Sequence, residues 1–351
     1  MATTQVQGQP MEPVAAPDNV VQLRDCEQGR SLTADALRRL VRNRAAVLGA
    51  IIIVLNVFVA IFAPFFAPKG YDEASFRDNN AVHSWMTHVF PNMKPVSEGG
   101  YVTVNDDYLL GADALGRDLL SRIIYGARVS LAVAFIGPAI SLSLGLLVGV
   151  TAGYMGGKVD NLLMRLVDIM YAFPTYLLII LLMAFFRFAK PESGTFAGAL
   201  SDLDAALGGM FFIFIGIGLT SWMGTARLSR GLVLCVREMT YVEAARATGA
   251  RTGWIIVHHI LPNIIGPLVV TETLNIPSYI SYEAFLSFIG LGVNPPRPSW
   301  GGMISEGAQK IQTYPFQAIF PALALFMVMF AFNFLGDGLR DAVDPRLRGV
   351  E

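Results

Sequence analysis

Charge is scarce in this chain of 351 residues. Only 15% are Asp, Glu, Lys or Arg, against about 25% in soluble domains, while 54% are apolar. With a mean hydropathy of +0.51, that shortage points to a polytopic membrane protein. A net charge of −1 supplies no basic field for nucleic acid. Cysteine is nearly missing too. Cys26 and Cys235 cannot build a disulfide framework, and neither CxxC nor a Cys/His metal spacing occurs. HExxH and GxSxG are absent, so the usual signs of a metallohydrolase or a serine hydrolase are lacking. The adjacent His258 and His259 would point about 100° apart on a helix, which suits a helix-end role better than metal binding. A phosphate-gripping loop is missing as well. Gly111 to Asp118 has the glycine spacing, but Arg117 and Asp118 stand where a lysine and a hydroxyl are needed. If this chain moves a solute with ATP, another subunit must bind the ATP.

What is present is a series of apolar runs. A span needs about 20 residues to cross about 30 Å of hydrocarbon. Six runs meet or approach this: 45–63, 129–152, 169–186, 205–226, 264–282 and 317–336. The fifth continues through AFLSFIGLGV to Pro295, which suits one span plus a short re-entrant or interfacial helix. The expected class is therefore an all-α polytopic membrane protein of six transmembrane helices. Residues 1–30 lack periodicity and are expected to form a disordered cytoplasmic tail. The first 44 residues are mostly polar, so the first apolar run reads as a retained anchor and not a signal peptide. Residues 31–68 read as a basic amphipathic helix followed by the first span. Leu32, Ala36, Leu37, Leu40 and Val41 share one face, and Arg38, Arg39, Arg42 and Arg44 lie just before the apolar run. Residues 69–128 read as an extracytoplasmic loop with short helices, 129–338 as the main membrane domain and 339–351 as a second cytoplasmic tail.

Most Lys and Arg outside the spans fall on one side when both termini are cytoplasmic. Arg117, Arg122 and Arg128 are exceptions, in a long loop where the rule weakens. Gly145, Gly149, Gly153, Gly216 and Gly218 suit close helix contact, and Pro138, Pro174 and Pro277 interrupt spans. Glu272 is the one acid well inside an apolar run, with Asn275 on a nearby face. An acid there reads as pathway lining, as a structural hydrogen bond, or as an interfacial position if the helix ends lie elsewhere. Glu283 reads as interfacial. Arg117 and Asp118 read first as structural residues, in an outer-face helix that could meet another protein.

One polar stretch between the fourth and fifth runs is unusually ordered. Residues 241–262 read YVEAARATGARTGWIIVHHILP. The composition suits a short helix, a glycine turn and a second helix entering the bilayer. Glu243, Ala244, Ala245, Gly249, Leu261 and Pro262 follow the spacing E-A-A, three residues, G, nine residues, then I-x-L-P. This resembles the cytoplasmic signature of ABC-importer permeases. His259 replaces the isoleucine of the general pattern, and His-Ile-Leu-Pro-Asn is similar to the dipeptide/oligopeptide/nickel branch. LVRNRAAVLG (40–49), LGADALGRDLLSRIIYGARVSL (110–131), AGYMGGKVDNLLMRLVDIMYAFP (152–174), SFIGLGVNPPRPSWGGMI (287–304) and FNFLGDGLRDAVDPRLR (332–348) resemble it too. Two departures are Ala112, where that branch often has Thr, and a longer loop between about 69 and 108.

The resemblance implies a type I ABC-importer transmembrane domain, here the second, C-type permease of the pair, in a bacterial or archaeal plasma membrane. It implies a homologous permease, two ATP-binding subunits and an extracytoplasmic solute-binding protein as partners. ATP and magnesium are expected on the ATPase subunits, with no cofactor and no catalysis on this chain. The 241–262 loop would be the coupling helix, transmitting ATPase closure to the fourth and fifth spans in an alternating-access cycle. Peptides are the expected solute, and a nickel chelate or another small solute the alternative within the same architecture. A stand-alone secondary transporter or channel would call for internal repeats and charges in several spans. Neither is evident.

Overall fold

The computed structural model describes residues 32–189 and 194–343. The tail expected at 1–30 and most of 339–351 lie outside these residues. The chain opens with α1 (Leu32–Arg42), whose basic and apolar faces separate as its pattern requires. Asn43 ends it and starts α2 (Arg44–Ile61), its Oδ1 accepting from the Ala45 and Ala46 amides. A short α3 (Ala63–Phe66) follows. The next segment carries α4 (Ser84–Val89), two single 3-10 turns (Phe76–Asp78 and Val96–Glu98), and otherwise turns and isolated bridges.

Helix α5 (Leu119–Met155) is 37 residues long, about 55 Å at 1.5 Å per residue and far more than a bilayer needs. It begins ten residues before the expected span. Asp118 caps it, Oδ2 accepting from the Ser121 amide at 2.7 Å, and the charged turns at Arg122 and Arg128 remain helical. Arg128 donates to the carbonyls of Ala60 (2.6 Å) and Ile61 (3.1 Å) at the end of α2. This arginine on the expected outer side therefore satisfies a helix C-terminus.

The third span differs from expectation. Instead of one helix over 169–186, α6 (Gly157–Tyr171) and α7 (Thr175–Ala189) meet at 79°. Pro174 disfavours helical geometry in the residue before it, and the break falls there. Two ion pairs hold α6 along α9 (Phe211–Val236): Asp160 with Arg230 at 2.5 Å and Asp168 with Arg227 at 2.6 Å. Those pairs also explain why α9 runs ten residues beyond the expected 226. Its start is later than expected because α8 (Phe196–Ala206) is separate, ended by the left-handed Gly208 and Gly209.

After α9 come α10 (Thr240–Ala247) and α11 (Thr252–Ile255), then a π-helical turn, Ile256–Ile260, that runs without interruption into α12 (Leu261–Phe288). The fifth span thus extends six residues beyond 282. The short helix expected in the rest of that apolar run lies later, as α13 (Trp300–Ala308), before α14 (Phe316–Val343). Five of these units are long and apolar enough to cross a membrane, and the bent α6–α7 pair makes a sixth if counted as one.

The small residues explain how the helices meet. A Cβ on Gly149 would stand 2.5 Å from the Ala226 carbonyl, and one on Gly145 or Gly153 would press into Thr225 or Val233. These three glycines, one turn apart on α5, let α9 lie against its backbone. Gly49 makes the same approach to α14 at Ala331. The largest apolar cluster joins α2, α5, α12, α13 and α14 through Ile53, Leu131, Ile276, Trp300 and Phe332. The 69–118 segment closes one end of it with Met86 and Met93.

Candidate functional site

The stretch at 241–262 folds as a protruding helix on a buried footing. Val242, Ile255 and Ile260 are buried and pack with Val150 of α5, Val233 of α9 and Ile264 and Leu268 of α12. Glu243, Ala244, Arg246, Ala247 and Gly249 face outward, with Ala245 half-buried. Helix α10 ends in a Schellman motif. The Ala250 amide reaches the Ala245 carbonyl and the Gly249 amide the Arg246 carbonyl, both at 3.0 Å. That places Gly249 at φ +82°. Nothing lies within 4 Å of a Cβ built there, so its backbone, not crowding, requires glycine. Leu261 is half-buried, and exposed Pro262 sits in the first turn of α12. His258 stacks on Trp254 at 4.6 Å, and His259 meets the edge of the same ring at 5.0 Å and Tyr241 at 5.8 Å. The histidines therefore brace the π-turn. Among the described residues no group of three or more His, Cys, Asp or Glu gathers to hold a metal.

The two candidate pathway residues part company. Glu272 is 3% exposed. Its Oε1 accepts from Ser141 of α5 at 2.9 Å and from Thr225 of α9, and its Oε2 from Tyr279 at 2.7 Å. It ties three helices together and does not face open space. Asn275, one turn on, lines a cavity of about 280 Å³ between α9, α12 and the α6–α7 break. Tyr279 belongs to both places. Glu283, expected near the membrane interface, is enclosed by protein. It is 0% exposed, accepting from Ser130 at 3.2 Å and Ser287 at 2.6 Å, because α12 continues past it against α5.

Arg117 and Asp118 are brought together, but not as a contact face. Asp118 is 0% exposed as the α5 cap, and Arg117 is buried beside Asp113 at 2.6 Å and Glu306 at 3.3 Å. Arg122 joins the same two acids, 2.8 Å from Glu306. Glu306 faces outward there, as do Leu115, Arg297 and Gln309 nearby. This cluster links the start of α5 to α13 and was not singled out from the sequence. Nor were Ser141, Thr225 and Tyr279, although a hydroxyl at each point of an apolar run was the available signal.

Residues 145–349 match a family described as the inner membrane component of binding-protein-dependent transport systems. Residues 31–91 match the N-terminal transmembrane domain of oligopeptide transport permease C. The chain is 39% identical to the oligopeptide transport system permease protein OppC of Haemophilus influenzae, over 92% of this chain and 91% of that one. It is 38% identical to OppC of Bacillus subtilis, over 91% of each. The dipeptide transport system permease protein DppC of Bacillus subtilis is 36% identical, over 91% of this chain and 87% of that one.

Proposed function

The chain belongs to the inner membrane components of binding-protein-dependent transport systems, and from that premise we propose that it is the permease subunit through which an ATP-driven importer moves peptides. The observation that carries this reading is α10. It is an exposed helix, rigidly ended, on a footing shared by α5, α9 and α12. A surface of that shape passes a push on α10 directly into the membrane helices. Glu243 has no partner among the described residues, so its carboxylate is free for a basic group on an ATPase subunit. Ala244 and Ala245 have no bulk to hold that subunit away.

ATP and magnesium belong to two ATPase subunits, and a homologous permease supplies the other half of the pathway. A solute-binding protein delivers the peptide on the outer side. Both termini of this chain lie in the cytoplasm, the side to which α10 projects. The names of the relatives, oligopeptide and dipeptide permeases, favour peptides over a nickel chelate.

Purification in mild detergent followed by reconstitution tests the reading. The chain should bring an ATPase and a second permease with it, and the reconstituted complex should accumulate labelled peptide only with ATP and the binding protein. Recovery of the chain alone, or accumulation of nickel but not peptide, would overturn it.

A further inference from the structure

The cavity beside Asn275 has a chemistry of its own. It lies at the midpoints of two spans. Thr220, Ser221 and Gly224 surround the centre of α9, and Asn275, Ser278, Tyr279 and Tyr282 run outward from the centre of α12. Among the described residues no Asp, Glu, Lys, Arg or His lines it. Its polar groups divide into two kinds. Thr220 returns its hydroxyl to the Gly216 carbonyl at 3.0 Å and Ser221 bonds to the Ile217 carbonyl, which leaves each oxygen able to accept. The Asn275 amide and the Ser278 and Tyr282 hydroxyls have no hydrogen-bond partner among the described residues. At this depth lipid would leave such groups unsatisfied, at a cost of several kcal/mol each. Their free capacity therefore calls for water and solute.

The nearest carboxylate is kept out of the cavity. Glu272 is enclosed by Ser141, Thr225 and Tyr279, and Tyr279 alone reaches both the carboxylate and the cavity wall. The wall thus presents donors and acceptors without a fixed charge. A lining of that kind can bond to backbone amides, which every peptide shares, and is indifferent to the charge of the side chains between them. It also holds a solute weakly enough to release it, as a pathway must.

On the reading of the chain as a peptide permease, we infer that this cavity is a mid-membrane subsite for the peptide backbone, with Asn275 as its principal contact and neutrality as its selectivity device. The test uses the complete reconstituted importer and three labelled probes: tri-alanine and its derivatives with central Lys or central Asp. Each variant is scored as its uptake relative to wild type for the same peptide, so preferences of the binding protein cancel. Asn275→Ala should lower uptake of all three by one common factor, about two- to ten-fold for a lost neutral hydrogen bond. Asn275→Asp should break the indifference, reducing the Asp peptide about ten-fold or more relative to the Lys peptide. Wild-type uptake by Asn275→Ala, or equal treatment of the two charged peptides by Asn275→Asp, would overturn the subsite.

If Asn275→Asp does not assemble, Ser278→Cys in a chain with Cys26 and Cys235 replaced by Ser provides the measurement. A charged, membrane-impermeant thiol reagent should label it in the assembled complex, and tri-alanine with ATP and the binding protein should slow the labelling. No labelling, or labelling unaffected by peptide, means that the cavity is filled by the second permease or faces lipid, and the subsite falls. The wild-type arm separates the two readings. Absence of peptide uptake there refutes the peptide permease, whereas wild-type uptake with indifferent variants refutes the subsite alone.

Discussion

Tyr279 gives its hydroxyl to Glu272 across 2.7 Å, two turns back along the same helix. The bond makes one side of a cage completed by Ser141 and Thr225. Glu272→Leu leaves Tyr279 and one of the Ser141 and Thr225 hydroxyls, which can still bond each other at 3.0 Å, without an acceptor, and each buried orphan costs about 1–3 kcal/mol. Glu272→Gln keeps one acceptor oxygen, and the Ser and Thr hydroxyls can turn to accept from its amide. Thermal melting in detergent should therefore rank wild type above Gln and Gln well above Leu. Equal melting of Gln and Leu would remove the cage from the account of how α5, α9 and α12 are joined.

Glu243 is exposed and pairs with nothing else among the described residues. Replacing it with Ala should leave insertion and melting unchanged while ATP-driven uptake falls at least about ten-fold, the scale of a lost charged contact at an interface. Normal uptake would dismiss this carboxylate as a coupling contact.

Gly249 separates backbone strain from docking. At φ +82° any Cβ costs about 1 kcal/mol or more, and Asn tolerates the region best. The space around it is open, so Gly249→Asn should fold almost as wild type. Gly249→Ala should melt lower, and Gly249→Asp, which adds a charge to the docking face, should abolish uptake with insertion intact. Full uptake by Gly249→Asp would show that the face is not engaged.

The π-turn at Ile256–Ile260 sets the register between α10 and α12. One alanine inserted after Val257, which is exposed, would rotate everything before it by about 100°. Val242 would then leave its footing against Val233. The insertion should abolish co-purification of the ATPase although the chain still inserts, and retained co-purification would show that the turn carries no registration.

Asp78 offers a test by pH. The Ser75 hydroxyl at 2.7 Å, then the Asn105 amide at 3.1 Å, hold its carboxyl below the ordinary carboxylate range. A depressed folded value means the stabilisation is fully present above the unfolded value, about 3.9, and is lost as pH falls through the lower folded one. The melting difference between wild type and Asp78→Asn should be constant from about pH 7 to 5 and close below about pH 4. A difference that grows on acidification would contradict the sign.

The features legible in the sequence are local ones. The Schellman end of α10 needs only a glycine two places past the last helical residue, and Pro262 needs only the first turn of a helix. Both stand where the pattern of 241–262 puts them, because turn and cap chemistry is decided within a few residues. The apolar runs locate the spans for a similar reason: crossing hydrocarbon is a demand on each segment separately. Helix ends are another matter. Helix α9 continues past its apolar run because Arg227 and Arg230 find Asp168 and Asp160 on α6, and α5 starts early because Asp118 caps it. Window hydropathy scores those charges as interruptions, having no knowledge of their partners.

The buried polar groups depended entirely on the tertiary structure. Arg122 and Glu306 are 184 residues apart in the chain, Glu272 and Ser141 131 apart, and Glu283 and Ser130 153 apart. A carboxylate in an apolar run has one meaning if it faces water and another if hydroxyls enclose it. The sequence determined by itself that this chain crosses a membrane and carries a short, glycine-ended helix between two spans. Only the packing of α5, α9 and α12 decided that Glu272 is a joint and Asn275 a wall, because desolvation and hydrogen-bond satisfaction depend on what surrounds a group in space.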